Sequence, residues 1–367
     1  MVCTPPRLPT LLLLLLGVLQ PAAATTSRAP APASSSSSTI SVGPSTLSAE
    51  APFGGVGGAS GGGGGTRLLV DYPPQQRSDI LDMLFKPQYG ASLQHLKVEV
   101  GCDGDTTQGS EPTHARSATD IDFDRGYEVW FMEQAAKRRP DIQLSGLEWG
   151  IPGWVAKAPG GMWGGANVEY LTGWAAGLRD KKRLNITALA VAWNERTYNA
   201  GFIKAMRKAL DGAGLAHIKT IAPDSYGNMW AIVDDMKKDS ALAAAIDILG
   251  THQECTGGRT QMPPPGTMDL NKPLWSTEQH IGEIGSYGGC TPSSGSPYSI
   301  DLPVWDFRAG LALARSLNQG YIIANQSSTL IWTPVYSWYE HLLYGGKGLI
   351  VANTPWSGWY EVPAAVW

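Results

Sequence analysis

The chain has 367 residues, 43% of them hydrophobic and 16% charged, and a net charge of −4. This length and composition fit one large globular domain or two smaller ones. The sequence contains no concentrated stripe of lysine and arginine, which argues against a nucleic-acid partner. Its 14 tryptophans are compatible with a cleft for carbohydrate, because sugars stack their C–H faces on aromatic rings.

The first 24 residues have the pattern of a secretory signal peptide. Arg7 provides the positive charge, an apolar run follows, and Ala22 to Ala24 provide the small residues for cleavage. The apolar run is too short to span a bilayer, and no later segment reaches about 18 apolar residues. We therefore expect an exported chain without a transmembrane segment. Residues 25–45 are rich in serine, proline and alanine and are predicted to be a low-complexity linker before a catalytic domain at 46–367.

Cysteine usage fits export to an oxidising compartment. Cys3 leaves with the signal peptide, so that Cys102, Cys255 and Cys290 remain. An odd number predicts one disulfide and one free thiol, with Cys255–Cys290 favoured because both follow late predicted strands. Two N-glycosylation sequons begin at Asn185 and Asn325.

From residue 51 onward the hydrophobic pattern alternates between strands and helices. The predicted strands are 51–57, 93–100, 142–147, 186–193, 218–222, 246–252, 273–278 and 328–332, and the helices between them are 77–85, 127–138, 169–178, 200–210, 229–237 and 305–316. Eight strands alternating with helices predict an α/β fold, a closed (β/α)8 TIM barrel. A doubly wound sheet is the alternative, weakened by the lack of a nucleotide-binding fingerprint.

The glycine-rich stretch at 54–65 contains neither G-x-G-x-x-G nor G-K-[ST], which argues against phosphate binding. Two interpretations remain open. The glycines keep the floor of a cleft shallow, so that a substrate can approach the backbone, or they form a plain linker.

Two carboxylates lie at the ends of predicted strands, Glu195 after the fourth strand and Glu278 at the end of the seventh. In a parallel barrel these strand ends form the cleft where chemistry takes place. Glycoside hydrolysis needs such a pair, one acid to protonate the leaving oxygen and one carboxylate to attack the sugar or activate water. The apolar Trp193 and the amide of Asn194 next to Glu195 suit a general acid whose pKa is raised by partial desolvation.

Other polar residues compete for these roles. Glu99, Glu148 and Glu283 are alternative acids, which we expect to be hydrogen-bond partners or solvated loop residues. His252 and His280 are candidates for the cleft, although single histidines are more often structural. The sequence has no H-E-x-x-H, C-x-x-C or carboxylate-rich loop that would indicate a metal, and no G-x-S-x-G of a serine hydrolase.

Several segments together resemble the galactocerebrosidase (galactosylceramidase) family of glycoside hydrolases. They are Lys-Val-Glu-Val-Gly-Cys-Asp-Gly-Asp-Thr-Thr (97–107), Glu-Pro-Thr-His (111–114), Pro-Gly-Trp (152–154), Trp-Asn-Glu-Arg-Thr-Tyr-Asn (193–199), Pro-Trp-Ser-Gly (355–358) and Phe-Lys-Pro-Gln-Tyr-Gly-Ala-Ser-Leu (85–93). The resemblance covers nearly all of 51–367. It implies a lysosomal or secreted retaining β-galactosidase that hydrolyses galactosylceramide-type glycosphingolipids, needs no cofactor, and accepts a lipid-presenting activator protein as a partner.

The same resemblance implies roles for individual residues. Glu195 would be the acid/base, Glu278 the nucleophile, and Asn194 the partner of the sugar 2-hydroxyl. The sugar pocket would be lined by Thr107 (with Thr106 as the adjacent alternative), Trp149, Trp332 and Tyr344.

The chain departs from the family pattern at four places. Ile281 replaces a serine expected near the nucleophile, residues 290–305 look like an inserted loop, and Gly54 stands where an aspartate is common. The sequence also stops at Trp367, before the β-sandwich and lectin-like domains of the family. Two alternative functions therefore stay open, a retaining β-glycosidase for another glycan and a catalytically silent sugar-binding protein.

Overall fold

The computed structural model describes residues 53–61, 66–106, 109–225, 230–252, 263–280, 307–337, 348–352 and 360–361. Eight strands form the centre of the fold: β1 (Gly55–Ser60), β2 (His95–Glu99), β3 (Gln143–Glu148), β4 (Ile186–Trp193), β5 (Lys219–Ser225), β6 (Ile248–His252), β7 (Leu274–His280) and β8 (Gln326–Trp332).

These strands close into a barrel in sequence order, β1 to β8. Every neighbouring pair is parallel, including the closing pair, in which Gly57 of β1 stands opposite Leu330 of β8. The closed topology confirms the predicted (β/α)8 barrel and excludes the doubly wound sheet. All eight strands therefore bring their carboxyl ends to one mouth.

Helices connect the strands along the outside of the barrel. They are α1 (Thr66–Leu69), α2 (Pro74–Phe85), α3 (Glu128–Arg138), α4 (Gly153–Lys157), α5 (Gly165–Gly177), α6 (Ala200–Gly212), α7 (Ala231–Lys238), α8 (Ser240–Ala244) and α9 (Phe307–Ala324). Helix α6 shows why the sequence folds in this way. Its apolar positions Phe202, Ile203, Met206 and Leu210 recur at helical spacing and are buried, and Asn199 caps its first turn through a bond from Phe202 N.

Strand β4 divides its side chains between two cores. Leu189 and Val191 pack in the large outer core with helix residues, whereas Ala188 and Ala190 pack in a small inner cluster with residues of other strands. This period of two follows from the pleat of a strand. Small alanines face the crowded interior, and larger side chains face the helices.

The glycines at the start of the described region lie in β1 of the barrel wall. A Cβ atom at Gly57 would lie 2.4 Å from both His95 Cβ and a methyl group of Leu330. The interior thus has no room for a side chain at this position. Residues 55–60 are therefore a strand of the barrel wall and not a linker. Residues 62–65 of the glycine run lie outside the described residues.

Most predicted elements agree with the structure, and the predicted strand 186–193 has the same two ends as β4. The first strand, predicted at 51–57, lies further along the chain at Gly55–Ser60, because glycines carry no side-chain periodicity that marks a strand boundary. The last helix, predicted at 305–316, extends to Ala324.

Beyond the barrel, β9 (Val335–Ser337), β10 (Ile350–Ala352) and β11 (Tyr360–Glu361) form a small sheet in the order β11–β10–β9. Cys102 is buried as a free thiol, and burial raises its pKa to about 11. The predicted signal peptide, the linker, Cys255 and Cys290 lie outside the described residues. None of the described helices is long and apolar enough to cross a bilayer.

Candidate active site

Glu195 sits in a tight turn directly after β4. Asn194 N donates to Glu148 O of the neighbouring strand at 3.0 Å, and Glu195 N donates to Asp224 O at 3.3 Å. Glu195 has a φ of +56°, a left-handed conformation that is uncommon for residues other than glycine and that clusters at functional sites. Its side chain is 30% exposed, so it faces the mouth and can reach a substrate.

Glu278 reaches the same mouth from β7. It stands opposite His252, the last residue of β6, in the parallel register. Its side chain is only 5% exposed. The two predicted glutamates therefore differ in environment, one partly solvated and one buried in the barrel end.

The structure brings these two carboxylates together although 82 positions separate them in the sequence. A carboxylate oxygen of each and a ring nitrogen of His252 all lie within 4.8 Å of one another. Retaining glycosidases hold their two carboxyl groups roughly 5–5.5 Å apart, whereas inverting enzymes leave roughly 6.5–9.5 Å for a water. Glutamate oxygens within 4.8 Å of one another fit the retaining arrangement better than the wider inverting one.

His252 lies between the two glutamates. Its Nδ1 atom is 3.6 Å from Glu195 Oε1 and 3.9 Å from Glu278 Oε2. The ring is 1% exposed, and its other nitrogen, Nε2, lies 2.7 Å from Asp224 Oδ1. The bond to Asp224 fixes the ring so that Nδ1 faces both carboxylates.

Asp224 is the centre of a buried network below the pair. Its Oδ1 accepts bonds from Lys97 Nζ at 3.0 Å and from Thr277 Oγ1 at 2.9 Å, besides the contact with His252. The side chains of Lys97 and Asp224 are both fully buried. The network connects β2, β5, β6 and β7 through the barrel interior.

The charges of this network determine its protonation. Burial by itself lowers the pKa of His252, but the negative charge of Glu278 and the contacts with Asp224 and Glu195 outweigh burial and raise it to about 10. Burial raises the pKa of Asp224, and the nearby charge of Lys97 and the bond from His252 reverse that effect and lower it to about 2. At neutral pH His252 is therefore an imidazolium and Asp224 a carboxylate.

Among the described residues, Glu195, His252 and Glu278 form the single group of three or more donors close enough together to hold a metal ion. A protonated imidazolium has no lone pair for a metal. The donor set suits acid–base chemistry better than metal binding.

Three predicted pocket residues lie at or just beyond the ends of β4, β3 and β8, the same end of the barrel as the pair. The side-chain Oδ1 of Asn194 is buried and has no hydrogen-bond partner among the described residues. Trp149 is half-buried after β3, and Trp332 is buried at the end of β8, where its Nε1 donates to Gly61 O at 3.2 Å. Trp149 packs against the cluster that contains Trp332, so the two rings form one wall of the mouth.

Two predicted pocket residues, Thr107 and Tyr344, lie outside the described residues, as do Ile281, Glu283 and the segment 290–305. The alternative Thr106 is described. Its hydroxyl donates to Gly109 O at 3.3 Å and to Glu99 Oε2 at 3.5 Å. That places Thr106 beside the end of β2.

The competing acids have other partners. Glu148 Oε2 accepts a bond from Asn167 Nδ2 of α5 at 2.8 Å, which turns its carboxyl toward the helix layer. Burial raises the pKa of Glu148 to about 8, against the opposite effect of that bond. Glu99 bonds with Thr106. Both glutamates thus have hydrogen-bond partners in the protein.

The sequence pattern did not single out two members of the site, Lys97 and Asp224, and it marked His252 only as a candidate for the cleft. Lys97 stands between Leu96 and Val98 in a buried strand, and Asp224 directly follows Pro223 near the end of β5. A lysine inside an apolar strand and an acid near a strand end were the available signals, since charged residues are rarely buried without a partner.

A cavity of about 600 Å³ lies on the flank of the barrel. Phe123, Trp154 and Tyr170 line it beside helix α5, and neither catalytic candidate does. Trp154, singled out in the sequence, donates its Nε1 to Ala115 O at 2.8 Å. This tryptophan supports the fold.

Comparisons with known proteins agree with this architecture. The galactocerebrosidase of Homo sapiens is 41% identical over 321 residues, and that of Mus musculus 39% over 327 residues. Each alignment covers 86% of this chain and 42% of the relative. The chain thus spans less than half the length of the curated relatives it matches.

Solved structures share the fold at low identity. SrfJ from Salmonella typhimurium superposes with a TM-score of 0.62 at 13% identity, covering 85% of this chain and 72% of that one. An endo-β1,6-glucanase superposes with a TM-score of 0.60 at 17% identity, covering 85% and 73%. The sequence profile of glycosyl hydrolase family 59 matches residues 53–367. The chain belongs to glycosyl hydrolase family 59.

Proposed function

We propose that this chain hydrolyses galactosylceramide-type glycosphingolipids to galactose and ceramide by a retaining double displacement. The observation that carries the proposal is the pair of glutamate oxygens within 4.8 Å at the ends of β4 and β7. The galactocerebrosidase name of the relatives supports the choice of sugar and aglycone.

Glu195 is the proposed acid/base. It is the more exposed of the two glutamates, so its carboxyl can reach the glycosidic oxygen and later a water molecule. Glu278 is the proposed nucleophile, buried at the barrel end and close to the cation of His252, which favours its ionised form. Asn194, Trp149 and Trp332 are the proposed sugar contacts, joined by Thr107 and Tyr344.

In the first step an oxygen of Glu278 bonds to the anomeric carbon while Glu195 protonates the departing aglycone oxygen. In the second step Glu195 takes a proton from water, the water oxygen bonds to the anomeric carbon, and the bond to Glu278 breaks. Two inversions return the original configuration. Asn194 Oδ1, which lacks a protein partner among the described residues, accepts a sugar hydroxyl.

Release of 4-nitrophenol from its β-galactoside tests the chemistry. We expect turnover by the wild-type chain and none by Glu278→Gln. Glu195→Ala should form a glycosyl-enzyme with this activated substrate but hydrolyse it slowly. Azide, which needs no general base, should rescue it and give β-galactosyl azide. A product of inverted configuration from the wild-type enzyme would refute retention.

A panel of aryl glycosides tests the sugar. Faster cleavage of β-glucosides or β-xylosides than of β-galactosides would instead support a retaining β-glycosidase for another glycan. Galactose binding without turnover by the folded wild-type chain would support a silent sugar-binding protein. Ceramide release from galactosylceramide tests the aglycone.

We further propose an exported enzyme, lysosomal or secreted, that receives its lipid from an activator protein. The signal-peptide pattern of residues 1–24 supports export. Vesicles with galactosylceramide test the partner: an activator should accelerate lipid hydrolysis without changing the rate on the soluble aryl galactoside. Equal rates on the lipid with and without it would refute the partner.

A further inference from the structure

His252 occupies a position that a single partner does not explain. Its Nδ1 lies nearly equally far from the two glutamates, at 3.6 Å from Glu195 and 3.9 Å from Glu278. A ring that served only to orient the nucleophile would favour Glu278. A ring that served only the acid/base would favour Glu195.

The ring is also held in place. Nε2 bonds with Asp224 Oδ1 at 2.7 Å, and Asp224 is itself anchored by Lys97 and Thr277. His252, Asp224 and Lys97 are each no more than 1% exposed. The ring is therefore fixed by buried bonds on one side and presents its other nitrogen to the two carboxylates.

The charges of the buried groups indicate a role for this ring. A buried group of charges is stable when its signs balance. Before the first step, in which Glu195 is the proposed acid, Lys97 and an imidazolium at His252 offset the charges of Asp224 and an ionised Glu278. A neutral ring would remove one cation from this buried group.

The balance persists through the reaction described above. When Glu278 becomes an ester it loses its charge, and Glu195 becomes a carboxylate because it has given up its proton. The negative charge thus moves from one glutamate to the other, and the second half-reaction moves it back. A cation between the two remains paired in both states.

We propose that His252 is a fixed, buried counter-ion shared by the two glutamates, pairing with Glu278 before the glycosyl-enzyme forms and with Glu195 afterwards. It acts as a positioning residue, through the glutamates and without touching substrate. Asp224, anchored on Lys97, maintains its charge. This inference rests on the proposed retaining mechanism.

The pH profile of kcat/KM distinguishes this role from a structural one. The acid limb reports ionisation of Glu278, and the alkaline limb reports loss of the proton from Glu195. The charged groups that face the ring are Asp224 from β5, Glu278 from β7 and Glu195 after β4. In His252→Gln the carboxylates lose their cation, so we expect both limbs to move to higher pH by about one unit. We expect kcat/KM to fall about 100-fold.

The chain offers a matched control in His95, a buried histidine of β2 inside the same barrel. Its Nε2 contacts Gly54 O at 3.0 Å, and burial lowers its pKa to about 4, so it carries no charge at neutral pH. His95→Gln should reduce stability and leave both limbs in place. Movement of the limbs in His95→Gln but not in His252→Gln would overturn the proposal.

A second variant and a spectrum keep the test independent of folding and turnover. Asp224→Asn retains the shape and the accepting oxygen but removes the charge that sustains the imidazolium, so its limbs should move in the same direction as those of His252→Gln. The ¹⁵N spectrum of histidine-labelled wild-type enzyme at pH 8 should show an imidazolium signal that is absent from His252→Gln.

A neutral ring at pH 8 would refute the counter-ion even if the enzyme proves to be a retaining galactosidase. An imidazolium in a chain without turnover would instead count against the proposed function. Inactive Glu195→Gln and Glu278→Gln variants combined with unmoved limbs in His252→Gln would also refute the shared counter-ion.

Discussion

Lys97 and Asp224 form an ion pair inside the barrel, with Nζ 3.0 Å from Oδ1 and both side chains fully buried. The two residues come from β2 and β5, which are not neighbours in the barrel. Such a pair is a weak source of net stability, because desolvation offsets its attraction, but it is costly to break. It joins opposite walls of the barrel directly below the candidate active site.

Replacing Lys97 by methionine should destabilise the fold strongly. Asp224 would remain buried with two hydrogen bonds but without its ammonium partner, a loss of about 3–5 kcal/mol. The free energy of unfolding from a urea titration measures it. Lys204→Met is the control, since Lys204 pairs with Asp239 at the surface, where the two side chains are 39% and 36% exposed. Such a solvent-exposed pair contributes little to stability. Equal losses in both variants would contradict the role of the buried pair.

Glu128 should make the fold more stable in acid. Burial raises its pKa to about 7, although bonds from Ser60 Oγ at 2.8 Å and Thr66 Oγ1 at 3.0 Å oppose the shift. In the unfolded chain a glutamate titrates near pH 4.3, so between about pH 4.3 and 7 the folded state binds more protons. Stability is therefore highest below this window and falls as the pH rises through it.

Glu128→Gln tests that dependence, because the amide oxygen can still accept both hydroxyl bonds. We expect the free energy of unfolding to decrease less between pH 5 and 7.5 in the variant than in the wild type. At pH 7.5 the variant should be more stable than the wild type by about 2–3 kcal/mol. Urea titrations at the two pH values measure it. An unchanged pH dependence in the variant would assign the effect to other acids, among them Glu111, whose pKa is also raised by burial.

Asn194→Ala should lower kcat more than it changes KM. Oδ1 of Asn194 is buried and has no protein partner among the described residues, so it is available to a sugar hydroxyl. A contact with the 2-hydroxyl strengthens in the transition state, and its loss should reduce kcat about 100-fold. Steady-state kinetics on the aryl galactoside measure the split. A raised KM with unchanged kcat would indicate uniform binding instead.

Gly57→Ala should weaken the closure of the barrel. The new Cβ would lie 2.4 Å from His95 and Leu330, closer than atoms pack, and overpacking costs about 1–3 kcal/mol. Gly173→Ala in α5 is the control, since a Cβ there meets nothing within 4 Å. In the helix it should gain up to about 1 kcal/mol. Thermal unfolding measures both, and a stable Gly57→Ala would contradict the tight interior.

Much of the fold follows from local pattern. The run from Ile186 to Trp193 predicts a buried strand, and β4 has those bounds. Helix α6 could likewise be placed from its apolar spacing and from Asn199 at its start. These elements obey the periods of strand and helix, which are properties of neighbouring residues. The first strand was misplaced because glycine carries no such period.

Only part of the candidate site could be predicted from the sequence. Strand-end positions in a parallel barrel, together with the family resemblance, selected Glu195 and Glu278 over the competing acids, because all strand ends of one barrel share a mouth. Their separation could not be obtained from sequence. Nor could the network of Lys97, Asp224 and His252, whose members come from three different strands.

The sequence by itself thus determined the order of strands and helices and the family, and it selected the two glutamates as candidates. Only the tertiary structure decided that these glutamates lie within 4.8 Å of one another and share a buried histidine. The physical reason is the separation along the chain between the residues that interact. Secondary structure reflects periods of two and 3.6 residues along the chain, whereas the charge on His252 depends on groups that barrel closure brings to a few ångströms from distant strands.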